Sequence, residues 1–195
     1  MRVELLTSPS SIADMEKFAA LAALTCHANA DKEFVPSEVL GRIIKAGHES
    51  ILEHINLTYS IKGISRALLQ ELARHRHISL SVESTRHTLR KFLYEHNAIE
   101  LCGNSYNLEI ARAFDAFASH HKDMPNDELK YYLPEFWPTN LVLTSNVREL
   151  RHILNLRTSP AALKEFRIVA RAMYETVPDE YKYLLKDCVH EEAEQ

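Results

Sequence analysis

Between Arg74 and His87 the chain reads RHRHISLSVESTRH. Guanidinium groups from Arg74, Arg76 and Arg86, imidazoles from His75, His77 and His87, the Glu83 carboxylate and the hydroxyls of Ser79, Ser81, Ser84 and Thr85 share that stretch. Arginine forks, hydroxyls and backbone N–H groups are the donors a phosphate dianion needs for charge-assisted, bidentate contacts. Cations at a helix end also serve the helix dipole and nothing more, but the hydroxyls and Arg86 that follow favour an anion site.

Two more polar clusters lie elsewhere. GHESILEH, from Gly47 to His54, brings His48, Ser50, Glu53 and His54, while SNVRELRHILNLR, from Ser145 to Arg157, sets Arg148, Arg151, His152 and Arg157 among leucines. Taken singly, the first reads as a polar helix terminus and the second as a solvated basic face of an amphipathic helix.

Other chemistries fit poorly. His75 and His77 are spaced i, i+2 and flanked by arginines that oppose a cation, and no HExxH or Cys/His pattern occurs, so no metal is expected. There is no GxSxG elbow, and Ser84 has no identifiable base, so it binds rather than attacks. Cys26, Cys102 and Cys188 are odd in number and far apart, which suggests neither a disulfide framework nor a CxxC site and points to a reducing cytoplasm. Cys26 stands beside His27, yet none of the three has the cationic setting of an activated thiolate, and all read as small apolar residues.

A chain of 195 residues, 46% hydrophobic and 26% charged, suffices for one sizeable core, so residues 1–195 are read as a single domain. The formal charge of −4 argues against wholesale nucleic-acid binding. MRVELLTSPS lacks the pattern of a signal peptide, and no run approaches the roughly 18 apolar residues of a membrane span, so a soluble cytoplasmic protein with no membrane partner is expected.

Helices must carry most of these groups. Residues 10–29 and the segment opening at Pro36 read as helices, the first with serine caps and the second with proline where a helix tolerates it. Ile55, Leu57, Tyr59 and Ile61 alternate with polar residues as a half-buried strand, which Gly63 is expected to end. Ser65 then caps a helix bearing Leu68, Leu69 and Leu72, which delivers Arg74 to Arg76 at its C-terminal end. Tyr106 to His121 and Pro125 to Leu133 also read as helical, and NLVLTSN is ambiguous between strand and helix. Asn146 to Arg157 is helical through Val147, Leu150, Ile153 and Leu154, and Ser159-Pro160 predicts the start of a last helix running to about Val177. The class is α+β, rich in helix and poor in strands.

Arg74-His75-Arg76, seven residues and then Ser84 fit the RHR-x7-S signature, and the chain resembles the flavin-dependent thymidylate synthases. ELARHRHISLSVESTR, GHESILEH, KYYLP and SNVRELRHILNLR are similar to family segments in the expected order, over roughly residues 15–190. The resemblance implies a helix-rich domain with a small antiparallel sheet. It also implies that methylene from 5,10-methylenetetrahydrofolate reaches carbon 5 of deoxyuridine monophosphate (dUMP), with hydride from flavin adenine dinucleotide (FAD) reduced by NADPH, giving thymidine monophosphate (dTMP).

By the same resemblance, His48, Ser50, Glu53, Arg74, His75, Arg76, Asn146, Arg148, Leu150 and His152 would meet the flavin. Glu71, Arg74, Glu83, Ser84, Arg86, Lys130 and Arg157 would meet the nucleotide, with Arg157 catalytic as a fixed positive charge against the uracil. The family also implies a homotetramer whose subunits share active sites. Four positions depart from its usual pattern: Lys130 for arginine, Val82 for a polar residue, His87 for tyrosine and Ala161 where some members have histidine. Beside this stand two other readings, a flavoprotein acting on another phosphorylated substrate and a non-enzymatic binder of RNA or a phosphorylated partner.

Overall fold

Period-two hydrophobicity builds the sheet that carries the three polar clusters. The structure is a computed structural model that describes residues 1–95 and 105–191. Its strands are β1 (Arg2–Leu5), β2 (Asn56–Ser65), β3 (Ile78–Val82) and β4 (Pro138–Asn146), all paired antiparallel in the order β1-β2-β4-β3. β2 buries Leu57, Tyr59, Ile61 and Ile64 on one face, as the alternation predicts. Gly63 does not end this strand: the ladder shifts register between Lys62 and Ile64, and Gly63 takes φ 71°, a conformation glycine adopts without a Cβ penalty.

The ambiguous NLVLTSN lies within β4, where Leu141, Leu143 and Ser145 are buried in alternation between two neighbouring strands. β1 and β3 were not foreseen. In β3 the Ser79 and Ser81 hydroxyls drew attention as ligand groups, whereas the intervening Ile78, Leu80 and Val82 supply the apolar half of a strand pattern.

Helix α1 (Pro9–Thr25) starts ahead of residue 10 and is capped by Ser8, whereas in α2 (Pro36–Lys45) and α3 (Arg66–Leu72) the openings at Pro36 and Ser65 are as expected. Ser8 precedes Pro9 and accepts from the Ser11 N–H, and α1 stops at Thr25 rather than Asn29. Ser65 accepts from the Leu68 N–H at 3.0 Å, and its own N–H and hydroxyl donate to the Glu165 carboxylate, tying α3 to the far end of the chain. A 3₁₀ turn, Glu49–His54, joins α2 to β2.

α4 (Thr85–Glu95), which the sequence did not suggest, is followed by α5 (Ser105–His120) and α6 (Asn126–Leu129), with a 3₁₀ turn Lys130–Tyr132. Then come α7 (Val147–Arg157), capped by Asn146, and α8 (Lys164–Glu175). Ser159-Pro160 does not start α8. Those residues form a turn closed by the Ala162 N–H on the Ser159 carbonyl, and the Pro160 carbonyl accepts from Arg167, so the helix begins only after Leu163. Cys102 lies outside the described residues.

The main core packs α1, α7 and α8 on the sheet through Ile12, Tyr59, Leu143, Leu150, Phe166 and Met173. A smaller cluster of Leu89, Phe114, Ala118, Leu129 and Trp137 binds α4, α5 and α6 to the start of β4. No helix among the described residues is long and apolar enough to cross a membrane. Ser65→Ala removes both the hydroxyl that caps the Leu68 N–H and its bond to Glu165, and leaves only the Ser65 N–H on that carboxylate. Urea unfolding is expected to show a loss of about 1 kcal/mol with an unchanged m value.

Candidate active site

Helix α7 is the element on which the clusters converge. Its cap, Asn146 Oδ1, accepts from the Glu149 N–H at 2.8 Å, and the Glu149 carboxylate turns inward to His75 Nδ1 at 3.1 Å. At the other end of the helix, Arg157 Nε reaches His75 Nε2 at 3.0 Å and Arg157 Nη1 reaches Glu71 Oε2 at 3.0 Å. Glu71 Oε1 is 3.4 Å from Arg74. The Arg157 guanidinium lies 4.8 Å from the centre of the Phe166 ring. Glu149, His75, Arg157 and Glu71 thus form one continuous chain from the core to the surface.

The same helix holds the Gly47–His54 segment. Arg148 pairs with Glu53, and Arg151, only 5% exposed, bonds Glu49, the Leu184 carbonyl and both oxygens of Asp187. His48 and Ser50 are exposed beside that turn, and Arg74 and Arg76 are exposed on either side of buried His75. His152 is exposed, with its ring 5.8 Å from that of His75. Leu150 is wholly buried, so its side chain packs the helix onto the core.

A second group gathers at α4 and α6. Arg86 forks onto Asp127 at 2.6 and 2.8 Å, Asn126 donates to the Arg86 carbonyl, and Lys130 follows one turn later. Glu83 accepts from Asn140, and the Ser84 carbonyl accepts from Thr88 at the start of α4. Of the four departures, Lys130 stands in this group, Val82 ends β3, His87 is exposed on α4 and Ala161 is exposed in the turn before α8.

Burial lowers the His75 pKa, and the Arg157 charge works in the same direction against the Glu149 hydrogen bond. Burial also works against the Arg151 charge, but the Asp187 and Glu49 carboxylates more than offset it and the pKa is raised; Asp187 is correspondingly lowered by its bond to Arg151. The Cys188 thiol is pushed up to about 11 by burial, in spite of Arg151 nearby, and is therefore a protonated thiol at neutral pH. His75, Glu149 and His152 have ligand-type atoms within 4.8 Å of one another. A metal there would displace one of the two hydrogen bonds His75 makes, to Glu149 or to Arg157, and face the Arg157 cation, so the cluster is better described as a hydrogen-bonded relay.

The family described as thymidylate synthase complementing protein matches residues 8–181. The chain belongs to the flavin-dependent thymidylate synthase family. A relative of that name from Campylobacter jejuni is 41% identical over 182 residues, covering 87% of this chain and 86% of its own. One from Helicobacter pylori is 38% identical over 178 residues, 82% and 83% of the two chains. The fold also matches the Helicobacter pylori thymidylate synthase X solved with FAD and dUMP, at a TM-score of 0.83 and 31% identity, over 98% of this chain and 100% of that one.

Glu149, Phe166, Glu49, Asp127 and Asp187 were not singled out from the sequence as site residues. For Glu149 a signal existed: Asn146-x-x-Glu149 has capping-box spacing, which marks a helix start but not the inward turn of the carboxylate.

A histidine with a lowered native pKa is protonated first in the unfolded chain, so its contribution to stability is present above the ordinary value of about 6.5 and is lost as pH falls below it. The melting temperature of the wild type should therefore fall more steeply than that of His75→Gln between about pH 7 and pH 5. Parallel curves would show that His75 is not held neutral.

Proposed function

We propose that this chain is a flavin-dependent thymidylate synthase that converts dUMP to dTMP. Methylene comes from 5,10-methylenetetrahydrofolate, and the hydride that completes the methyl group comes from FAD reduced by NADPH. Family membership over most of the chain supports the reaction class, and so does likeness to a protein solved with FAD and dUMP. The observation that carries the reading is Arg157, whose side chain is only 16% exposed and whose plane is set by His75, Glu71 and Phe166.

A guanidinium fixed in that way needs no reorganisation to stabilise negative charge developing on a uracil ring, which makes carbon 5 more nucleophilic. No enzyme thiolate is then required, which suits a Cys188 thiol pushed up to about 11. Glu71 and Arg74 would meet the nucleotide beside Arg157, and Glu83, Ser84, Arg86 and Lys130 its phosphate end. Lys130 keeps the charge of the family's arginine but lacks its fork.

The donor set fits a dinucleotide. Arg74 and Arg76 offer exposed cations to a diphosphate, and bonds from Arg148 to Glu53 and from Glu149 to His75 draw the three flavin segments together at the N-terminal end of α7. His48, Ser50, Glu53, Arg74, His75, Arg76, Asn146, Arg148 and His152 would hold FAD, with Leu150 shaping the helix from beneath. When bound, FAD supplies the hydride. Residues 1–195 would act as one domain in the cytoplasm, in a homotetramer whose subunits complete one another's sites, an arrangement suited to clusters carried on separate elements.

The reading predicts that reduced protein mixed anaerobically with dUMP and methylenetetrahydrofolate reoxidises its flavin and forms dTMP. Flavin reoxidation that needs another phosphorylated substrate would favour the alternative flavoprotein, and a colourless protein that takes up no flavin would favour a non-enzymatic binder. Arg157→Ala is expected to cut turnover by at least about 100-fold while most flavin stays bound, and Arg76→Ala to lower flavin absorbance of the purified protein. Wild-type turnover in the first variant, or full occupancy in the second, removes that residue's assignment.

A further inference from the structure

Glu149 is assigned no direct contact to flavin or nucleotide above, yet it stands at one end of the buried chain that runs through His75 to Arg157 and Glu71. Its side chain is 10% exposed and that of His75 4%. Buried polar groups have to be matched donor to acceptor, and here each contact has one solution. Guanidinium has no acceptor, so Arg157 Nε–H donates and His75 Nε2 presents its lone pair at 3.0 Å. A neutral imidazole with bare Nε2 carries its proton on Nδ1, which lies 3.1 Å from a carboxylate oxygen that can accept it. The other tautomer, and the imidazolium, would set N–H against N–H at Arg157.

We propose that Glu149 is a positioning residue that locks His75 as its Nδ1–H tautomer and so fixes the orientation of Arg157. With Nε tied to His75, Nη1 to Glu71 and the plane resting against Phe166, the Nη2 edge carries no protein hydrogen bond among the described residues and is left for a ligand. A lowered His75 pKa agrees with this, since only the neutral ring fits. Without Glu149 both tautomers become accessible, and the one protonated at Nε2 repels Arg157. The inference rests on the role of Arg157 in methylation proposed above.

The test uses the full-length flavin-loaded enzyme. Long-range nitrogen–proton NMR of the histidine rings, with His75 assigned by its loss in His75→Gln, should show the Nδ1–H tautomer in the wild type. Glu149→Leu should show a tautomer mixture and a kcat lower by about 10–100-fold, the range that loss of an outer hydrogen-bond partner costs a metal-bound histidine. With kcat taken per bound flavin, its KM for dUMP should stay within about 3-fold, because the orientation of Arg157 matters most as charge develops. Glu149→Gln keeps an oxygen that accepts from Nδ1–H, and should recover most of that loss.

An Nε2–H tautomer in the wild type overturns the proposal. Wild-type kcat in Glu149→Leu does so too, as does a Glu149→Gln as impaired as the leucine variant, which would assign the effect to charge instead. If Glu149→Leu fails to fold, the wild-type tautomer and the glutamine variant still decide. Wild-type enzyme that makes no dTMP would defeat the methylation reading, while the ring tautomers still decide the coupling of Glu149 to Arg157.

Discussion

A guanidinium taken largely out of water must meet acceptors on its edge, and removing one partner of a buried ion pair costs about 3–5 kcal/mol because the remaining charge is left uncompensated. Arg151 and Arg157 place that requirement on the middle and the C-terminal end of one helix. Arg157 is satisfied by Glu71 and His75 from the end of α3, and Arg151 by Glu49, Asp187 and the Leu184 carbonyl. Segments from early, middle and late in the sequence are thereby forced into one arrangement around α7. Apolar packing through Leu150, Ile153 and Leu154 sets the face that helix turns to the sheet, and the matched forks and carboxylates tie it to the segments on either side.

This division of labour explains why the candidate site is partly core. His75 contributes rings and hydrogen bonds at the same time: it lies edge-on to Phe166, with 6.0 Å between ring centroids, and links Glu149 to Arg157. The exposed members, Arg74, Arg76, His48 and Ser50, sit around this buried frame and remain accessible. A rigid interior with a soft charged rim suits a ligand that is held by its anionic groups and acted on at one ring.

Much of the frame was legible. The alternation in Asn56–Ser65, the Ser65 cap and the period of α7 depend on neighbours within one element, where sequence spacing is also spatial spacing. What failed was where a local signal met a tertiary one. Gly63 looked like a stop because glycine is usually a break, but pairing with β4 carried the strand past it as a bulge. Ser159-Pro160 had the form of a cap, yet its carbonyls were taken by Ala162 and Arg167. Site residues found by resemblance came from motifs, while Glu149 meeting His75 across 74 positions and Asp127 meeting Arg86 across 41 have no expression in spacing.

The arrangement of charge also bears on whether a cysteine of this chain could act as a nucleophile. A thiolate nucleophile needs a cation that lowers its pKa and an open approach. In this chain the nearest candidate among the described cysteines, Cys188, adjoins Arg151, but that guanidinium is saturated by two carboxylates and a carbonyl, and burial wins, leaving the thiol at about 11. Arg157 is different, because its bonds tie back Nε and Nη1 while Nη2 has no protein partner among the described residues. Positive potential is therefore spent on structure at the middle of α7, while its C-terminal end keeps a guanidinium edge without a protein partner among the described residues. On the proposed reading such an enzyme would activate a ring by holding charge against it, and its precision would depend on the hydrogen bonds that orient that charge.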